Sequence, residues 1–93
     1  MANITVAALI IETHTEDHIW ERHRIADVQV YALIEGRYKV IPNQGTAPYR
    51  LIGHDYQGRC IAAPIAPTYD PLVWTVASAW YCDKEEQMIL MRR

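Results

Sequence analysis

Ninety-three residues provide one hydrophobic core, because a chain this short hides only about 60–65% of the surface that its unfolded form exposes. Apolar residues make up 51% and charged residues 22%, which is globular composition, and no run approaches the roughly 18 apolar residues needed to cross a bilayer. The formal charge of −2 excludes nucleic-acid binding driven by the field of the whole protein, so any RNA or DNA contact must come from local clustering of cations.

The start Met1-Ala2-Asn3 lacks the basic residues of an export signal, and a cytoplasmic location is expected. Cys60 and Cys82 fall in different predicted elements without a CxxC pair, so two free thiols in a reducing compartment are the expectation, with one disulfide as the alternative.

Ile4 to Ile11 is rich in β-branched residues and apolar at both parities, which predicts a central strand covered on both faces. Thr13 and Glu16 have the spacing of a capping box, and a first helix is predicted over about His14 to Arg22. Ala26, Val30, Leu33 and Ile34 stand at helical spacing, with Gly36 as the residue that ends a second helix in a left-handed conformation.

Arg37 to Ile41 and Tyr49 to His54 read as strands separated by a Pro/Gly loop, and Gly58 suits a hairpin turn into Arg59 to Ala63. Pro64 marks an edge, a bulge or the end of that strand, and Ile65 to Pro71 reads as a loop. Leu72 to Tyr81 is the last strand, with Leu72, Trp74, Val76, Ser78 and Trp80 on one face. Asp83, three residues before Glu86, caps a closing helix. The whole is one α+β domain over residues 1–93, in the order β-α-α-β-β-β(-β)-α, with a mainly antiparallel sheet.

No phosphate-binding loop, dinucleotide fingerprint, serine elbow or HExxH motif is present, and no cofactor or metal is expected. His14 and His18 have the spacing of a metal pair on one helix face, but no third ligand lies nearby in sequence. His23 stands at the end of the first helix, where its ring can help the last carbonyls or serve a site.

The richest stretch is Tyr49 to Arg59. Arg50 and His54 share a strand face, although about 13 Å separates their Cα atoms. His54 and Arg59 flank one turn and can converge, one to move a proton and the other to hold a phosphate; otherwise both are turn-rim residues. Tyr56 in that turn, with Trp80 and Tyr81, offers rings that stack on a base or meet a partner protein, and Trp80 and Tyr81 can equally close the core.

The element order, His18-Ile19 to His23 before the second helix, Tyr49-Arg50-Leu51-Ile52-Gly53 to Gly58-Arg59, and Val76-Ala77-Ser78-Ala79 before a capped helix holding Glu86 together resemble the BrnT-like branch of the RelE/ParE toxin superfamily. The resemblance runs from about Thr5 to Arg92. It implies a bacterial type II toxin: a metal-independent endoribonuclease acting on messenger RNA, often at the ribosome, and silenced by a small protein antitoxin. It places Arg50 and Arg59 on the family's mid-strand arginines and His23 on its helix-end histidine. The sequence departs from the family at Ser78-Ala79-Trp80, where relatives carry Thr/Ser-Ala-Arg, because an indole supplies neither the charge nor the forked donors of a guanidinium. The candidate catalytic set is His54, read from the hairpin, with Arg50 and Arg59, which match the family's arginines. The alternative is a catalytically degenerate relative that binds an antitoxin or other protein through the sheet face around Trp74 and Trp80.

Overall fold

The computed structural model describes residues 4–92. Its elements are β1 (Ala8–Ile10), α1 (Thr13–His23), α2 (Asp27–Tyr31) running into one 3₁₀ turn (Ala32–Ile34), β2 (Tyr38–Pro42), β3 (Tyr49–His54), β4 (Cys60–Pro67), β5 (Val73–Val76), β6 (Trp80–Tyr81) and α3 (Lys84–Met91). The sheet runs β1-β5-β4-β3-β2, with β6 also on β4. Among the described residues only β1 and β5 pair in parallel; the other pairs are antiparallel, as expected for an α+β chain.

The first strand is shorter and less central than expected. It has three residues at the sheet margin, and of Ala8, Leu9 and Ile10 only Leu9 is buried. The apolar run fills one face only, because Val6 and Leu9 enter the core while Ile10 stays about half exposed.

Glu12, not Thr13, caps α1 with backbone alone, so the expected capping box does not form. The helix ends at Arg24, which adopts the left-handed conformation at φ 55° and donates its N–H to the Trp20 carbonyl. The second helix is one and a half turns of α followed by 3₁₀, and Gly36 does not take a positive φ. Two valines and a tyrosine give this segment little helix propensity, so tightening to i→i+3 bonds replaces the left-handed cap.

The β3–β4 hairpin follows the sequence closely. Gly58 turns the chain at φ 82°, a conformation that glycine adopts without steric cost. Gly53 serves a different purpose: a Cβ there would sit 2.7 Å from the Leu33 carbonyl oxygen, so its absence lets the 3₁₀ turn lie directly on β3.

Pro64 does not end β4, which continues to Pro67. Val76 pairs with Ile65 and Trp80 with Ala62, so Ala77, Ser78 and Ala79 stand opposite two residues, Ala63 and Pro64. This one-residue bulge splits the predicted last strand into β5 and β6. It also explains how a proline sits inside the sheet: its carbonyl still accepts from the Ala77 N–H at 2.9 Å, while its missing donor faces an interrupted partner.

The bulge reverses the facing of everything after it, as a one-residue slip must. Trp74 and Val76 join the main core with Ile19, Val30 and Leu33 from the α1–α2 layer. Trp80 and Cys82 turn to the opposite face, where Ile52, Ala62 and Leu90 form a second core beneath α3. The expectation that Trp74 and Trp80 share a face is therefore corrected.

The cysteines are also corrected. Tyr81 pairs with Ile61, which sets Cys82 across from Cys60, and the two form a disulfide with Cα atoms 5.3 Å apart. No described helix is long and apolar enough to cross a membrane.

Candidate functional site

The residues singled out by sequence divide into two clusters, one beneath the start of α3 around Glu86 and one at the β3–β4 hairpin around Asp55. On the α3 side, Asp83 and Glu86 form the expected reciprocal cap, with the Glu86 N–H donating to Asp83 Oδ1 at 2.8 Å and the Asp83 N–H donating to Glu86 Oε1 at 3.0 Å. That cap points the buried Glu86 carboxylate back at β3 and β6. Arg50 Nη1 donates to its Oε2 at 3.0 Å, and the Trp80 indole N–H donates at 3.2 Å.

Arg50 has no donor nitrogen left over. Its Nε and Nη2 both donate to Asn43 Oδ1, at 3.1 and 2.8 Å, and its guanidinium lies over the Trp80 ring at 5.5 Å. The indole that stands where the toxin pattern has an arginine is thus part of a closed network, half-buried between sheet and helix.

The other cluster is centred on Asp55, which was not singled out from sequence. Oδ1 accepts the N–H groups of Gln57 and Arg59, both at 2.9 Å, and so holds the hairpin turn; Oδ2 accepts Arg59 Nε at 2.9 Å and Gln29 Nε2 at 3.1 Å. Gln29 also donates to the Tyr81 hydroxyl at 3.2 Å, and its Oε1 accepts the Ala26 N–H at 2.9 Å. Burial raises the Asp55 pKa, but the bonds from the Arg59 N–H, Gln29, the Gln57 N–H and the Arg59 guanidinium outweigh it and hold the carboxyl below its ordinary value of 3.8.

A group with a depressed folded pKa stabilises fully above its ordinary value and loses that contribution as pH falls through the folded pKa. Asp55→Asn turns a donor toward donors and is expected to lower stability by about 2 kcal/mol at neutral pH. Thermal unfolding followed from about pH 7 to pH 2 should show the gap to wild type closing in the acid range below the ordinary value. A gap that stays constant with pH would contradict the arrangement.

Asp55 uses only the Nε of Arg59, the guanidinium packs over the Tyr81 ring at 5.5 Å, and its η nitrogens have no acceptor among the described residues. Arg59 lines an open cavity of about 330 Å³ together with His54, Tyr81 and Gln87. His54 and Arg59 therefore share one concave surface, with exposed Tyr81 between strand and helix. Arg50, at the opposite end of β3 and beneath the start of α3, is not brought to it.

Tyr56 is largely exposed at the hairpin tip, beside a neighbouring cavity that His54 also borders. His23 is the last, partly buried residue of α1. Among the described residues no group of three or more His, Cys, Asp or Glu side chains is placed to hold a metal ion. Sequence reading missed two members of this surface: Asp55, detectable only as an Asx turn two residues before Gln57, and Arg37, which lines two of the cavities around His54 and carried no motif.

No protein-family model matches the chain, and no curated protein sequence does. A solved structure does: the 1.1 Å crystal structure of the Brucella abortus ribonuclease toxin BrnT superposes with a TM-score of 0.63 over 83% of this chain and 97% of that one, at 16% identity. At that identity the likeness is one of architecture, and it is the architecture that the resemblance anticipated: the chain has the RelE/ParE-like α+β fold of the toxin BrnT.

Proposed function

We propose that this protein is the toxin of a type II toxin–antitoxin pair, a single-domain endoribonuclease that cleaves messenger RNA with His54 and Arg59 and is held by a small protein antitoxin. The observation that carries the reading is the shared cavity: in a chain with a ribonuclease-toxin fold, a proton-exchanging side chain borders the same hollow as a guanidinium whose η nitrogens are uncommitted.

The chemistry fits those groups. His54 takes the proton of a ribose 2′-hydroxyl, the 2′-oxygen forms a bond to the adjacent phosphorus, and the bond from phosphorus to the 5′-oxygen breaks as that oxygen takes a proton from water, to which His54 then returns its own. The Arg59 η nitrogens donate to the non-bridging oxygens as charge accumulates on them. Tyr81 supports Arg59 from below and offers an edge for a base. Arg50, with all three nitrogens engaged by Asn43 and Glu86, serves the fold on this reading, and Trp80 serves with it.

The test is cleavage of free or ribosome-bound messenger RNA in the presence of chelator. Wild type should cut, and His54→Ala should slow cutting by about a hundredfold or more; Arg59→Ala should slow it while Arg59→Lys restores part of the rate. Intact RNA after prolonged incubation with folded wild type would overturn the reading. A folded protein that leaves RNA whole but captures an antitoxin would instead be a binding relative, although the sheet-face anchors expected for that role are absent, since Trp74 is buried and Trp80 lies on the other face under α3.

A further inference from the structure

His54 is not confined to one hollow. It is a shared wall of three: the cavity of about 330 Å³ beside Arg59 and Tyr81, one of about 270 Å³ between Arg37 and the end of α3, and one of about 350 Å³ between Arg37 and Tyr56. Successive members of this row share Arg37 or α3 residues as well as His54, so the hollows form one furrow running across the end of the sheet. An arginine stands on each side of the histidine. In a chain of net charge −2, that pairing is the local cation cluster that a polyanion requires.

We propose that the far hollow is a second nucleotide subsite, in which Arg37 binds the phosphate one nucleotide removed from the bond at His54 and Tyr56 stacks on the base. The inference rests on the ribonuclease reading and deepens it, by making the substrate a single strand long enough to fill both sides of His54.

The chemistry of the subsite follows from its walls. Arg37 Nη2 donates to the Leu90 carbonyl at 2.6 Å and also to the Arg92 carbonyl, to which Lys39 donates as well. These bonds fix the guanidinium and offset the negative end of α3, which would otherwise repel a phosphate. Nε and Nη1 make no hydrogen bond among the described residues, and the far hollow contains no α3 residue. Two carboxylates share the rim: Asp55 is countered by Arg59 and bonded to Gln29, while Glu35 repels a phosphate from its own side and confines it to Arg37. Tyr56 is about two-thirds exposed, which leaves its ring free as a stacking platform tolerant of base identity.

The test uses binding, so that it does not depend on cleavage. Labelled 2′-O-methyl oligocytidylates of two and six nucleotides, which have no free 2′-hydroxyl at the linkages, are titrated against the full chain by fluorescence anisotropy. Wild type should hold the six-mer about tenfold or more tighter than the two-mer. Arg37→Gln and Tyr56→Ala should each weaken the six-mer about five- to tenfold and leave the two-mer unchanged, and Arg37→Gln should lower the salt slope for the six-mer by about one. Arg37→Lys should retain that slope. Tyr56 makes no buried contact, so its variant tests the subsite even if Arg37→Gln fails to fold. Equal weakening of both lengths, or of neither, overturns the subsite and leaves the ribonuclease reading standing; no binding of either oligonucleotide by wild type overturns both.

Discussion

Glu86→Ala is expected to unfold about 3–5 kcal/mol more readily than wild type, measured by urea denaturation at neutral pH. The carboxylate is almost wholly buried and serves three partners at once: the Asp83 N–H, the Arg50 guanidinium and the Trp80 indole N–H. Its loss takes away half of the cap of α3, worth about 1 kcal/mol. It also orphans an indole N–H under the helix and leaves Arg50 without its counter-ion. Arg50 is about a quarter exposed, and water compensates it in part. Arg50→Ala is the harsher test of the pair itself, since it strands an anion with almost no access to water. Glu86→Gln, which keeps the volume and one acceptor oxygen but turns an amide NH2 toward a donor, should fall between wild type and alanine. An alanine variant within 1 kcal/mol of wild type would mean that the network contributes little.

The disulfide carries the second large effect. Cys60 and Cys82 are 22 positions apart, and closing a loop of that length restricts the unfolded chain by about 3–4 kcal/mol on the chain-entropy account. The double variant Cys60→Ser/Cys82→Ser should lose that stability, a fall in Tm of roughly 12–25 °C for a domain of this size. Wild type measured with dithiothreitol should approach the double variant, because reduction removes the same constraint. A reduced protein as stable as the oxidised one would show that the cross-link adds nothing beyond the β4–β6 pairing. The bond also joins the two walls of the candidate site, since Cys60 lies beside Arg59 and Cys82 beside Tyr81; loosening it should raise the mobility of the Arg59–Tyr81 stack.

Local signals were legible wherever a few adjacent residues decide the outcome. The β3–β4 hairpin was readable because a glycine and two short β-rich runs specify it, and the α3 cap because Asp83 and Glu86 satisfy each other's backbone within one turn. The pairing of His54 with Arg59 was readable for the same reason: both flank a single turn. The helix ends were less so. Arg24 closes α1 in a conformation that its side chain does not favour, and nothing within α2 announces where it tightens to 3₁₀.

By itself, then, the sequence determined the class of fold, the order of its elements, the hairpin and the capped last helix, all through contacts a few residues long. Which side chains face one another is set by strand pairings between distant segments. A single extra residue among Ala77, Ser78 and Ala79 turns Trp80 away from Trp74, sets Cys82 across from Cys60 and lets Pro64 remain in a strand. Alternation along a strand has a period of two, so no local pattern reveals where the count shifts. The same holds for the arginines. Arg50 and Arg59 look equivalent in sequence, but Asn43 and Glu86 engage all three nitrogens of one, while Asp55 takes a single nitrogen of the other, which lines the furrow that His54 shares with Arg37.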